Sequence, residues 1–209
     1  MTGKPSFRNT SRGGGPRGGA AAPGAVWGSP FSQAQILHLM KTEFARARRH
    51  GLPLAVGVFA VDRLRALVDL YGTELRDAVR EAVGKLLVEG TRSSDCVGVV
   101  NDDRFVLLMP HTDAAQAMVV AERMRARFAE LTIRARGQEL ALALSSGVAT
   151  NADKETLFFE TLLSQAEVAL EWARRAGGNQ VVAFSRERFM REEGGLIDPV
   201  GTGEGREAP

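Results

Sequence analysis

The residues best placed to do chemistry lie in one stretch, R-S-S-D-C-V-G-V-V-N-D-D-R-F, running from Arg92 to Phe105. Arg92 and Asp95 stand just ahead of a short apolar run, and Asn101, Asp102, Asp103 and Arg104 interrupt that run before it resumes at Phe105. A guanidinium and a carboxylate three residues apart can grip a polar ligand, or they can pair with each other and cap a turn between helix and strand. The interruption reads as a hairpin turn, because Asn and Asp tolerate left-handed backbone. Other chemistries are poorly served. His38, His50 and His111 lie in separate segments with no Ser or Cys nucleophile beside them, so no hydrolase triad is expected. Cys96 is the only cysteine. It can form no internal disulfide, no zinc site is expected around it, and its simplest role is that of a small core residue.

These residues need elements to hold them, and the hydrophobic pattern supplies them between about Phe31 and Arg186. Gln33 to His50 has helical spacing (Ile36, Leu39, Met40, Phe44) and ends on Arg48, Arg49 and Gly51. Pro53 to Val61 reads as a buried strand, and Glu74 to Glu89 as an amphipathic helix with Leu75, Val79, Val83 and Leu86 inward. Cys96 to Val100 and Phe105 to Met109 form the hairpin. Asp113 and Gln116, at capping-box spacing, open a helix that runs to about Ala129. Leu131 to Arg136 and Glu139 to Val148 read as a second hairpin turning at Gly137. A long helix from Glu155 to Ala176 then stops at Gly177 and Gly178, and Gln180 to Phe184 is a last strand. The order is that of a ferredoxin-like βαββαβ core with an added hairpin, helix and strand: an α/β (α+β) fold whose central, mostly antiparallel sheet is flanked by helices.

The 209 residues therefore divide into a Gly/Arg-rich tail (1–30), one domain (31–186) and an acidic tail (187–209). Both tails are expected to be flexible, since they offer almost nothing to bury against the entropy of ordering, and Trp27 is the residue that could anchor the first. A net charge of +2 gives no whole-molecule argument for nucleic acid, and no apolar run is long enough for a membrane span or a signal peptide. With a single thiol, a cytoplasmic location fits.

The pattern resembles the GGDEF domain, the family of diguanylate cyclases, which condense two GTP molecules into cyclic di-GMP. The resemblance is carried in order by A-R-A-R-R-H-G-L-P-L-A, V-D-R-L-R-A-L-V-D-L-Y-G, R-S-S-D ahead of N-D-D-R-F, F-V-L-L-M-P-H-T-D, A-E-R-M-R, S-S-G-V-A and A-E-V-A-L-E-W-A-R-R-A-G-G-N. It implies a signature turn at Asn101-Asp102-Asp103-Arg104-Phe105, where the family has Gly-Gly-Asp/Glu-Glu-Phe. Both glycines are absent, Arg104 replaces an acid, and the metal-binding Asp at the end of the first strand is Ala60, leaving Asp103 as the carboxylate for magnesium. The guanine-contacting Asn matches Val68 while its companion survives as Asp77. A phosphate-binding Lys becomes Arg174, and an Arg beyond it becomes Gly178. On this reading the chain is a catalytically inactive, degenerate cyclase, not an enzyme, with no catalytic residues, metal site or cofactor.

By the same resemblance the R-x-x-D is the family's inhibitory site, which binds cyclic di-GMP, and it stands unbroken as Arg92 and Asp95. A third member falls at Arg123. An Arg fork can donate to guanine O6 and N7 or pair with phosphate, and a carboxylate can accept from guanine N1 and N2. Arg46, counted back from Ala60, is the candidate contributed by a second protomer in a ligand-bridged homodimer. The resulting expectation is a cyclic di-GMP receptor in bacterial second-messenger signalling that reports to an unknown protein partner. The competing reading is a ligand-independent interaction module that kept only the fold, with an active cyclase behind both.

Overall fold

In the strand β1 (Leu54–Val61, L-A-V-G-V-F-A-V) all eight residues are buried, as a strand covered on both faces requires. A computed structural model describes residues 29–101, 103–152 and 156–194, and places β1 at the centre of a five-stranded sheet of order β2-β3-β1-β6-β7. β3 (Arg104–Pro110) pairs antiparallel on one side, from Leu54↔Pro110 to Ala60↔Arg104, and β6 (Leu144–Thr150) antiparallel on the other. β2 (Cys96–Asn101) forms the hairpin with β3, and β7 (Val181–Ala183) lies parallel beside β6. The ferredoxin-like core is therefore present, with β7 added at its edge.

Alternation along β1 sends Phe59 and Val61 to one face of the sheet and Val56, Val58 and Ala60 to the other. The first face is covered by α2 (Leu64–Tyr71), α3 (Thr73–Gly90) and α4 (Ala114–Ala129), and the second by α1 (Gln33–His50) and α5 (Phe159–Arg175). Two glycines set how closely the second pair of helices approaches. A Cβ at Gly98 would stand 2.4 Å from Ile36 of α1, and one at Gly147 would stand 2.1 Å from the Ala166 carbonyl of α5. Helix starts follow local chemistry: Ser32 with Gln35, and Asp113 with Gln116, form capping boxes.

The structure departs from the sequence reading in four places. A helix, α2, stands between β1 and α3, bounded by left-handed Arg63 (φ 56) and by Gly72 (φ 95), where the sequence reading placed no element. The second hairpin is short, β4 (Ile133–Ala135) with β5 (Gln138–Leu140), and turns at Arg136 and Gly137, both at positive φ as a two-residue type I′ turn requires. The strand expected from Glu139 to Val148 is thus two strands, because β6 leaves the hairpin to join the main sheet. Helix α5 begins at Phe159, and Glu155, where the sequence reading starts it, lies outside the described residues. A further helix, α6 (Arg186–Gly194), occupies the start of the stretch assigned to the acidic tail. It is held because Trp172 Nε1 donates to Glu192 Oε2 (2.6 Å), the Arg188 guanidinium lies 4.3 Å over the Trp172 ring, and Phe184 stacks on Trp172. Expectations for residues 1–28, Trp27 among them, for Asp102 and for residues 195–209 lie outside the described residues. No helix among the described residues is long and apolar enough to cross a membrane.

Candidate functional site

The two charged clusters lie at opposite ends of β2. The signature turn is at its far end, where Asn101 pairs with Arg104 across a bulge and Arg104 in turn faces Ala60. Two carboxylates one helical turn apart on α5 grip Arg104: Nη1 donates to Glu167 Oε1 at 3.3 Å and Nη2 to Glu171 Oε1 at 3.0 Å. Glu171 Oε1 also lies 3.5 Å from Arg174 Nη1. Asp103 Oδ1 sits 3.2 Å from Arg76 Nε, an ion pair whose N–H points off the hydrogen-bond direction. Together Ala60, Arg65, Asn101, Asp103, Arg104 and Arg174 line a cleft of about 370 Å³.

That cleft carries three guanidiniums and suits phosphate oxygens better than a bare cation. Among the described residues no three His, Cys, Asp or Glu side chains gather around a common point, and Asp103 is the carboxylate that lines the cleft. Val68 is turned into the core from α2, whereas Asp77 is exposed on α3. Gly178 (φ 78) lies against Asp62, whose Oδ2 accepts from Ser145 Oγ (2.9 Å) and from the Asn179 backbone N–H (2.7 Å). A Cβ at position 178 would stand 2.6 Å from that oxygen.

The R-x-x-D turn is at the near end of β2, directly after α3. Arg92 and Asp95 are joined through backbone rather than through their charges: the Arg92 N–H donates to Asp95 Oδ2 at 3.0 Å, and the Asp95 N–H donates to the Arg92 carbonyl at 3.0 Å. The cap-like ion pair considered from sequence is therefore a closed turn that leaves the Arg92 guanidinium exposed, without a hydrogen-bond or ion-pair partner among the described residues. Asp95 is half-buried, and its Oδ1 accepts at long range from Ser94 Oγ at 3.5 Å. From α4, Arg123 Nη2 donates to the Gly90 carbonyl at 2.8 Å, which brings it to the end of α3 beside this turn.

Arg123 is thus brought from α4 to the end of α3, beside the turn that carries Arg92 and Asp95. Arg46 is not in contact with them. It lies on α1 with Nη1 2.9 Å from Glu43 Oε1, beside a small depression at Pro53 and Pro110. The same end of the sheet holds Cys96, whose thiol is pushed up chiefly by burial and further by the carboxylates of Glu43 and Asp95. Asp62, Glu167 and Glu171 were missed from sequence. The i,i+4 spacing of the two glutamates was visible, but nothing local names a partner in another element.

The family model for the GGDEF domain of diguanylate cyclases matches residues 31–180. Diguanylate cyclase DosC of Escherichia coli is 32% identical over 145 residues, covering 68% of this chain and 31% of that protein. Diguanylate cyclase A of Treponema denticola is 30% identical over 129 residues, covering 61% and 34%. The chain therefore spans about a third of the length of these curated relatives. Among solved structures, the active GGEEF domain of a diguanylate cyclase from Vibrio cholerae superposes with a TM-score of 0.69 at 22% identity, covering 75% of this chain and 98% of that one. The GGDEF domain of DgcB from Caulobacter crescentus in complex with c-di-GMP superposes with a TM-score of 0.68 at 19% identity, covering 73% and 90%. These two likenesses establish the fold.

The expectation that the chain is not an enzyme is corrected by this kinship, since both curated relatives are diguanylate cyclases and the family model runs from residue 31 to 180, through β1, β2, β3 and β6 and to the end of α5. The physical reason lies in what the cleft still presents. The turn still presents Asp103, and the cleft still gathers cations that suit phosphates.

Proposed function

The chain belongs to the GGDEF domain family of diguanylate cyclases, and from that premise we propose that it acts in cyclic di-GMP signalling as a receptor, with the R-x-x-D turn as its ligand site. The observation that carries this reading is the exposed Arg92 guanidinium, without a partner among the described residues, on a turn that also carries the Asp95 carboxylate and that Arg123 approaches through Gly90. The closed turn spends one carboxylate oxygen on the Arg92 backbone. It leaves Oδ1 to accept from guanine N1 and N2 while the Arg92 fork donates to O6 and N7 or to phosphate. The DgcB domain, solved with c-di-GMP, supports the choice of ligand.

A protein partner and a ligand-bridged homodimer belong to the same proposal, with Arg46 freed from Glu43 to reach across, and so does a cytoplasmic location. A SiaD diguanylate cyclase of this fold from Pseudomonas aeruginosa is solved with its activator SiaC, a precedent for a protein partner. Calorimetric titration of the full chain with cyclic di-GMP tests the site. Wild type binds, and Arg92→Ala loses about 1.5–3 kcal/mol, roughly ten- to a hundredfold in affinity. Equal binding by the two proteins removes the R-x-x-D turn from the site, and no binding at all favours the ligand-independent interaction module. Chromatography of the same preparation incubated with GTP and magnesium measures the family's condensation reaction directly.

A further inference from the structure

Arg127, one turn beyond Arg123 on α4, extends the same cluster. Its Nη1 lies 3.2 Å from the point where a side chain at Gly90 would begin, so it reaches the last residue of α3, whose carbonyl Arg123 already engages. The absence of a side chain at Gly90 makes this approach possible: a Cβ there would also stand 2.6 Å from Met124 Sδ. The Arg127 guanidinium is exposed and has no hydrogen-bond or ion-pair partner among the described residues.

The charge around the end of α3 is then unbalanced. Arg92, Arg123 and Arg127 converge there, and the helix C-terminus offsets only about half a charge. Asp95 supplies one negative charge, while Glu89 of α3 is turned to Lys85 at 4.0 Å. More than one positive charge remains, on guanidiniums whose planar forks match phosphate oxygens.

We infer that Arg127 is a further ligand-contacting residue of this site, pairing with a phosphodiester group of the bound dinucleotide and leaving Arg92 to the guanine. The inference rests on the proposal that the R-x-x-D turn binds cyclic di-GMP. Its test is titration of the full chain with cyclic di-GMP at low and high salt, using wild type, Arg127→Ala, Arg127→Lys and Arg92→Ala, with ligand-free melting temperatures measured alongside.

Arg127→Ala should weaken binding roughly tenfold at low salt. It should also flatten the salt dependence, because a phosphate contact is screened by ions and a packing contact is not. Arg127→Lys should recover part of the loss, and neither Arg127 variant should move the ligand-free melting temperature. If Arg127→Ala binds within about twofold of wild type with an unchanged salt slope while Arg92→Ala fails, the inference falls and the proposed site stands. If wild type does not bind, both fall together.

Discussion

Reversing the charge of Arg104 should destabilise the domain measurably, although the residue stands at the very start of β3, at the rim of the sheet. Its guanidinium makes two contacts, at 3.3 Å to Glu167 and 3.0 Å to Glu171, and the three side chains are 28%, 34% and 41% exposed. Partly exposed pairs of this kind contribute on the order of 0.5–1 kcal/mol each. Arg104→Met, which keeps the apolar stem, should therefore cost about 1–2 kcal/mol. Arg104→Glu replaces two attractions with two repulsions of similar size and should cost about 2–3 kcal/mol at low salt.

For a domain of this length that cost is a fall in Tm of roughly 5–10 °C, readable by calorimetry or circular dichroism. Raising the salt to about 1 M shortens the screening length to about 3 Å and should shrink the gap between Arg104→Glu and wild type to under about 1 kcal/mol. Adding Glu167→Gln and Glu171→Gln to Arg104→Glu removes the repulsion and should recover most of the lost stability. An Arg104→Glu protein within about 0.5 kcal/mol of wild type at low salt, or one that the glutamine changes fail to rescue, refutes the clamp.

Three further outcomes follow from the packing. Gly147→Ala would drive a Cβ to within 2.1 Å of the Ala166 carbonyl and 2.2 Å of the Leu170 nitrogen, both backbone atoms of α5. It should cost about 3 kcal/mol or more in urea unfolding, since the whole helix must shift. Cys96, with its thiol raised by burial and by Glu43 and Asp95, should alkylate with iodoacetamide more slowly than an exposed thiol at neutral pH, and Glu43→Gln should speed the reaction. Glu192 is held below the usual carboxylate range, first by its hydrogen bond from Arg188 and then by that from Trp172. A depressed carboxyl contributes stability that is present above the ordinary carboxylate range and lost as pH falls through and below it. The fluorescence change on acidification that reports α6 leaving Trp172 should therefore appear in that window and be missing in Glu192→Gln.

Much of the frame was readable because it is local. The span of α1, the burial of β1, the cap at Asp113 and the hairpin from Cys96 to Pro110 all come from periods of two or 3.6 residues and from a side chain bonding to backbone three residues away. The R-x-x-D was legible as a motif for the same reason: its two ends lie within one turn of chain.

What tertiary structure decided involves partners far apart in sequence or a choice between two nearby ones. Arg104 meets glutamates 63 and 67 residues away because α5 crosses over the β1 strand that pairs with β3. The Asp95 carboxylate could have taken its neighbour's guanidinium or its neighbour's N–H, and the turn geometry gives it the N–H, which leaves the Arg92 guanidinium without a partner among the described residues. Arg123 and Arg127 reach Gly90 only because α4 lies beside α3 on one face of the sheet. Helix α6 has the composition of a tail and is helical where Trp172 and Phe184 give it something to pack against. Periodicity says which residues face inward; the order and register of the strands decide which of them meet.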